Sequence, residues 1–353
     1  MKIVVACGGT GGHAFPGLAV AEELVKRGHD VTVWDSGRNI ESSVMRRWKG
    51  PTFSTGAKPL SLRNVFSVFC SILRCRRQMR REKPDALIAM GSYSSLPPVV
   101  AAKSAGVKIF LHEANTVPGK AVEFLSRFAD KVAISFPVTA SYLPFVKTVV
   151  TGLPVRSDIT EGKRFDFIPP DSFVVFVTGG SQGAHAVNML LSKALVMMNA
   201  ELVRNGEAGK LYVIHQTGVN DEESVSKMYA EASIPARVRA FEDDMASAFA
   251  SADLVVARAG ASTCFELAAC GKGAFLIPLP TALRNHQHHN AEAFAVALAA
   301  SEGDQSRLAP LQVFRLLMNY RNNPERLAQM AANMKKMAVP DAAGRVADML
   351  EGK

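Results

Sequence analysis

The sequence is poor in cysteine, in aromatic residues and, over its first half, in acid. Five cysteines in 353 residues show no paired spacing, and Cys70 and Cys75 stand among bulky residues with helical periodicity. That excludes a disulfide scaffold and a cysteine zinc site, and implies free thiols in a reducing cytoplasm. No window holds 18 consecutive apolar residues, so no transmembrane helix is expected. The opening Val4-Val5-Ala6-Cys7-Gly8 mimics a lipoprotein cleavage site. It lacks the charged start and the apolar stretch of about 7–15 residues that a signal peptide needs. Few aromatic stacking residues and no nucleic-acid motif argue against nucleic acid as a partner. No low-complexity segment is present.

What is present is basic charge, in one half only. Residues 1–155 hold 21 Lys and Arg against 10 Asp and Glu, a balance of +11. Residues 156–353 hold 20 against 22. Such asymmetry implies an anionic partner for the first half. The length points to two domains of about 150 to 200 residues, with a boundary near Gly152-Leu153-Pro154-Val155-Arg156.

Short apolar runs alternate with helical stretches. Ile3–Cys7 leads into Gly8-Gly9-Thr10-Gly11-Gly12-His13 and a helix over Phe15–Arg27, then a strand over Val31–Trp34. Ala86–Ala89, Lys108–Leu111, Lys131–Ile134 and Thr148–Val150 follow as further strands. Then the pattern restarts. Phe173–Thr178 runs into Gly179-Gly180-Ser181-Gln182-Gly183 and a helix from Ala184 to about Ala200. Strands over Leu211–His215, Arg237–Ala240, Leu254–Ala257 and Ala274–Pro278 come next, and a last helix over 341–350 is capped by Asp341. The fold class is therefore α/β, with two Rossmann-like, doubly wound domains.

Four glycines at positions 8–12 let something approach the backbone closely, at the positive end of a helix. Gly9 to Ala14 fits a dinucleotide fingerprint, with Asp35 placed as a ribose-binding acid. No Gly-Lys-Ser/Thr follows, so it is not a Walker A loop. Further polar clusters fall at strand ends: 112–115, 215–218, 258–266 and 285–290. In the third, small Gly260 and Ala261 precede Ser262 and Thr263 at a helix start, which reads as a phosphate site, and Glu266 one turn on can accept from a ribose diol. Asp243-Asp244 reads as a helix cap rather than a metal pair, and His286, His288 and His289 lack the spacing for a shared metal. No metal and no cofactor is expected. Residues 62–81 open with large apolar residues and end in five arginines. Two readings stay open: a helix with one buried face and snorkelling arginines, or attachment to an anionic membrane.

In order and spacing these motifs resemble the MurG-type bacterial N-acetylglucosaminyltransferases of the membrane step of peptidoglycan synthesis. The match rests on 8–13 with Phe15-Pro16-Gly17-Leu18-Ala19, Gly91-Ser92-Tyr93-Ser94-Ser95, His112-Glu113-Ala114-Asn115, Pro154-Val155-Arg156, 179–184, His215–Gly218, Arg258–Thr263 with Glu266, and His286-Gln287 with Asn290. It departs from the family at Ala114, Leu153 and Arg284-Asn285, where the family has glutamine, asparagine and an acidic pair. The resemblance implies a GT-B glycosyltransferase whose two domains face a cleft. Residues 1–155 would form the acceptor and membrane-side domain, with 340–353 packing back onto it, and 156–339 the UDP-GlcNAc domain.

The reaction implied is inverting, metal-independent transfer of GlcNAc from UDP-GlcNAc to lipid I, undecaprenyl-pyrophosphoryl-MurNAc-pentapeptide, giving lipid II. The catalytic candidates are His13 as base and Glu113 as the second choice. For UDP-GlcNAc the resemblance implies Thr10, Gly11, Gly12, Asn115, Arg156, Ser181, Gln182, Arg258, Ala261, Ser262, Thr263, Glu266, Gln287 and Asn290. For the acceptor pyrophosphate it implies Gly9, Thr10, Gly11, Gly12, His13 and Tyr93. The partners would be the anionic cytoplasmic leaflet of the inner membrane, bound peripherally, and cell-wall synthesis proteins. Two rivals stand beside it: a UDP-sugar epimerase of similar fold, and an NAD-dependent oxidoreductase using the first loop and Asp35.

Overall fold

Alternate residues of the first strand face opposite ways, and in this chain both ways are apolar. Ile3 and Val5 join a core with Leu18, Val20 and Leu24, while Val4 and Ala6 join another with Met79, Val99 and Leu125. A strand buried on both faces belongs in a parallel sheet covered by helices on each side. The computed structural model, which describes residues 1–9, 11–37 and 45–353, has two such sheets. They lie in two units, one of residues 1–156 with 339–353 and one of residues 157–338.

In the first unit the elements are β1 (Lys2–Ala6), α1 (Gly11–Lys26), β2 (Asp30–Asp35), β3 (Thr52–Ser54), α2 (Val65–Glu82), β4 (Ala86–Ala89), α3 (Leu96–Ala105), β5 (Lys108–Glu113), α4 (Lys120–Leu125), β6 (Lys131–Ile134) and β7 (Lys147–Val150). The strand order is β3-β2-β1-β4-β5-β6-β7, all parallel. The second unit runs β8 (Phe173–Thr178), α5 (His185–Arg204), β9 (Leu211–Gln216), α6 (Glu222–Glu231), β10 (Ala236–Arg239), α7 (Met245–Ser251), β11 (Leu254–Ala257), α8 (Ala261–Cys270), β12 (Ala274–Leu276), α9 (His286–Val296), β13 (Ala300–Glu302), α10 (Pro310–Asn322) and α11 (Pro324–Lys336). Its order is β10-β9-β8-β11-β12-β13, again parallel. In each sheet the order reverses beside the first strand of the unit. That reversal opens a crevice at the carboxyl ends, where such sheets hold ligands.

The last helix, α12 (Ala342–Glu351), belongs to the first unit. Asp341 caps it, accepting from the Gly344 amide at 3.2 Å. Val346, Ala347, Met349 and Leu350 enter the core under α1. Arg27 bridges to Asp348 at 2.6 Å and His29 to Glu351 at 2.8 Å.

Two expectations need correction. The first helix begins at Gly11 rather than Phe15, so Gly11, Gly12 and His13 form its first turn. Glycines carry no apolar periodicity, which hid that turn. The short strands β3 and β13, three residues each, carry too little pattern to be read from sequence. One helix among the described residues is long and apolar enough to cross a membrane, α5, and it lies in the core of the second unit against α10.

Candidate active site

In the first unit the reversal lies between β1 and β4, and the loops after these strands interlock. The backbone at Gly9 has φ +116°, and a Cβ there would lie 2.4 Å from Ser92 Oγ. Ser94 Oγ donates to the Gly8 carbonyl at 2.6 Å. Ser92 itself takes φ +68°, a region costly for any residue but glycine, immediately before Tyr93. At Gly17 a Cβ would lie 2.2 Å from Cys7 Cβ, so α1 packs directly on the end of the first strand.

His13 stands in the first turn of α1, half-buried, with Nδ1 2.8 Å from the Met90 carbonyl. A carbonyl only accepts, so Nδ1 carries a proton, and in the neutral ring Nε2 carries the lone pair. No acidic residue lies in that first turn. Thr10, expected at both substrates, lies outside the described residues. Arg156 stacks its guanidinium 4.8 Å from the Phe15 ring centroid, one face of α1 thus holding it.

Glu113 ends β5 and is buried. Its Oε1 accepts from the Asn115 amide at 2.9 Å and from Asn115 Nδ2 at 3.1 Å, and its Oε2 from the Gly119 amide at 3.0 Å. Burial pushes its pKa above the usual carboxylate range, against the lowering pull of those donors. Both oxygens are spent on the 114–119 loop, so its geometry is that of a brace for Asn115. His112 is buried beside it, with Nε2 3.2 Å from the Gly152 carbonyl, and burial lowers its pKa to about 4. It is neutral at physiological pH.

In the second unit the reversal lies between β8 and β11. The glycine loop after β8 is locked to the loop after β9: a Cβ on Gly183, at φ +74°, would lie 2.0 Å from the Thr217 carbonyl oxygen. Gln216 spans the gap, donating to the Gly180 carbonyl at 2.8 Å and accepting from the Glu242 amide at 3.1 Å. Ser181 and Gln182 stay exposed at the tip. Across the crevice α8 starts at Ala261 behind Gly260, with no acid in its first turn, and Ser262 and Thr263 half-buried. Glu266, also half-buried, follows in the next turn. Two helix N-termini and a glycine loop could hold an anion here.

Other rim residues also bond to the scaffold. Arg258 donates to the Ile277 and Pro278 carbonyls, both at 3.0 Å, and to Gln305 Oε1 at 2.6 Å. Its guanidinium ties down the end of β12, which fixes the rim. His215 is buried between Tyr229 and Asn188, and burial lowers its pKa to about 3. Asn290 Nδ2 donates to the Ala259 carbonyl at 3.1 Å, and Gln287 Oε1 accepts from the Leu279 amide at 3.0 Å. Asp244 caps α7 through the Ser247 amide at 2.9 Å. His286 and His289 bond to Leu283 and Glu292 respectively, and His288 to Glu302.

Residues 3–134 match the glycosyltransferase family 28 N-terminal domain and residues 174–346 the family 28 C-terminal domain. The chain belongs to glycosyltransferase family 28. A Myxococcus xanthus relative, UDP-N-acetylglucosamine--N-acetylmuramyl-(pentapeptide) pyrophosphoryl-undecaprenol N-acetylglucosamine transferase, is 36% identical to this family 28 chain over 99% of the chain and 92% of the relative. The enzyme of the same name from Citrifermentans bemidjiense is 35% identical, with all of both chains covered. The crystal structure of MurG from Acinetobacter baumannii matches with a TM-score of 0.77 at 30% identity, covering 100% of this chain and 99% of that one. The fold of this family 28 glycosyltransferase is accordingly of the GT-B type.

Proposed function

We propose that this chain transfers GlcNAc from UDP-GlcNAc to the lipid-linked acceptor lipid I, forming the β-1,4 bond of lipid II in peptidoglycan synthesis. The observation that carries this is end-to-end likeness to transferases of that name, at 36% identity. A switch point beside a glycine loop in each unit supports it. We assign the first unit to the acceptor and the second to the donor. Gly9, Gly11 and Gly12 would receive the acceptor pyrophosphate near Tyr93. Ser181, Gln182 and the Ala261–Thr263 turn would receive the donor diphosphate, Glu266 the ribose, and Asn115, Gln287 and Asn290 the sugar, with Arg156 beside the nucleotide.

His13 Nε2 takes the proton of the acceptor hydroxyl as that oxygen attacks the anomeric carbon. The bond from carbon to UDP breaks with its electron pair on the phosphate, and the configuration inverts. Helix dipoles at α5 and α8 stabilise the departing diphosphate without a metal. Glu113 acts through Asn115 as a positioning residue.

The basic helix α2 supplies membrane attachment. Val68, Ser71, Cys75 and Met79 are buried on one face. Phe66 is 79% exposed and Phe69 55%, with Val65 and Leu73 exposed beside them and Arg76, Arg77, Arg80 and Arg81 following. An exposed apolar face continued by arginines suits the interface of an anionic bilayer. The enzyme would therefore be peripheral on the cytoplasmic leaflet.

Incubation with UDP-GlcNAc and a lipid I analogue tests the activity by UDP release and product mass. The expected result is one UDP and one added GlcNAc per acceptor. UDP-GlcNAc consumed at the same rate without acceptor would refute it in favour of an epimerase.

A further inference from the structure

We propose that His112 is a positioning residue for the transfer: it fixes the segment that carries Arg156 to the strand end beside Asn115 and His13. It rests on the reading above, which places those three groups at the reaction. His112 lies on β5 and is 1% exposed. Nε2 is 3.2 Å from the Gly152 carbonyl, which only accepts, so Nε2 carries the proton and donates. In the neutral ring Nδ1 is then an acceptor, and among the described residues it has no partner. A buried acceptor left unpaired costs the fold stability. An apolar side chain would fill the same space without that cost. What it would lose is the bond to Gly152.

Gly152 is held on more than one side. Thr151 Oγ1 donates to the same carbonyl at 2.9 Å. The backbone there has φ +74°, and a Cβ would lie 2.5 Å from Val339 Cβ, so the chain that leads into α12 packs on the glycine itself. Leu153, the next residue, is buried. Four residues after Gly152, Arg156 stacks 4.8 Å from the ring centroid of Phe15, which follows His13 by two positions on α1.

The other end of the tie is the strand. His112 precedes Glu113, whose carboxylate accepts from the Asn115 amide and side chain. A Cβ on Gly91 would lie 3.4 Å from the His13 ring and 3.5 Å from the His112 carbonyl oxygen, so the base and this strand end meet around one glycine. A single imidazole therefore joins the Gly152–Arg156 segment to the place where the acceptor-side groups stand. Transfer needs its charged and basic groups in register, and a shift of about 1 Å far from the reacting atoms can cost about a hundredfold in rate.

The test is steady-state kinetics of the full-length protein and its variants with UDP-GlcNAc and a lipid I analogue. His112→Ala is expected to lower kcat about tenfold or more and to leave KM for the acceptor within about twofold. His112→Gln, whose amide nitrogen keeps a donor near the reach of the imidazole Nε2, should recover most of kcat. His112→Asn is too short to reach Gly152 and should not. Added to Arg156→Ala, His112→Ala should cause little further loss, because both remove the same placement. If thermal melting shows His112→Ala to be unfolded, the Gln and Asn variants carry the comparison at a temperature where both are folded. An unchanged kcat in His112→Ala, a Gln variant no faster than the Asn variant, or losses that multiply with Arg156→Ala overturns the proposal while leaving the transfer activity standing. Wild-type protein that fails to transfer GlcNAc refutes the proposed function and this inference together.

Discussion

His13 Nδ1 lies 2.8 Å from the Met90 carbonyl, and that bond decides which of its nitrogens is left to take a proton. With Nδ1 donating to Met90, Nε2 is the nitrogen proposed as the base. His13→Ala should lower turnover about 100-fold, within the range for general acid–base groups. UDP-GlcNAc affinity, measured by calorimetry, should stay within twofold, because the donor contacts are assigned to other residues. Glu266→Ala should do the reverse, weakening UDP about tenfold or more through the lost charge-assisted hydrogen bonds to ribose. Unchanged UDP affinity in that variant would remove Glu266 from the nucleotide site. At this scale the sequence was only half legible. Residue type and position at a strand end could be read directly, but the direction of the polar tip could not. Arg258 turns inward to the carbonyls at the end of β12, and Glu113 turns onto its own loop. Both are polar groups at a rim that must satisfy buried backbone partners as well as any ligand.

Among elements, the glycine loops were the clearest sequence signal, and their packing explains why. Gly183→Ala would bring a Cβ within 2.0 Å of the Thr217 oxygen at a φ of +74°, so the loop must shift. UDP binding should fall at least tenfold, about the loss expected when loop displacement removes one charge-assisted hydrogen bond, while far-UV circular dichroism stays unchanged. The amphipathic helix was the more ambiguous element, since a buried face and a membrane face give the same periodicity. The structure shows a buried face and an exposed one: Val68, Cys75 and Met79 are buried, and Phe66 and Phe69 are exposed. Replacing Arg74, Arg76 and Arg77 with glutamine should weaken co-sedimentation with anionic liposomes roughly a hundredfold, at about 1 kcal/mol for each charge near the surface. Retained binding would remove this helix from the membrane contact.

At the scale of the whole molecule, the doubled strand–glycine–helix pattern carried the architecture. The charge asymmetry marked the unit that bears the basic helix. The return of α12 to the first unit rests on ion pairs between residues more than 300 positions apart, which no local pattern announces. Glu351 ties Lys353 and His29, and those hydrogen bonds hold its carboxyl at about 2, below the ordinary 4.5. A depressed carboxylate stabilises the fold above about pH 4.5 and loses that contribution as pH falls towards 2. The unfolding temperature should therefore drop through that window, and Glu351→Gln should flatten the drop. A slope unchanged by the substitution would mean that the acid transition lies elsewhere.

That returning helix also sets an order of events during synthesis. Residues 157–338 form one continuous stretch, whereas the first unit draws Val346, Met349 and Leu350 from the far end of the chain. Each such side chain is worth about 1.5–3 kcal/mol when fully buried. As the chain emerges, the second unit can close first, and the unit begun first waits for the last residues. A nascent chain halted at residue 338 should resist protease across 157–338 and be cut within 1–156.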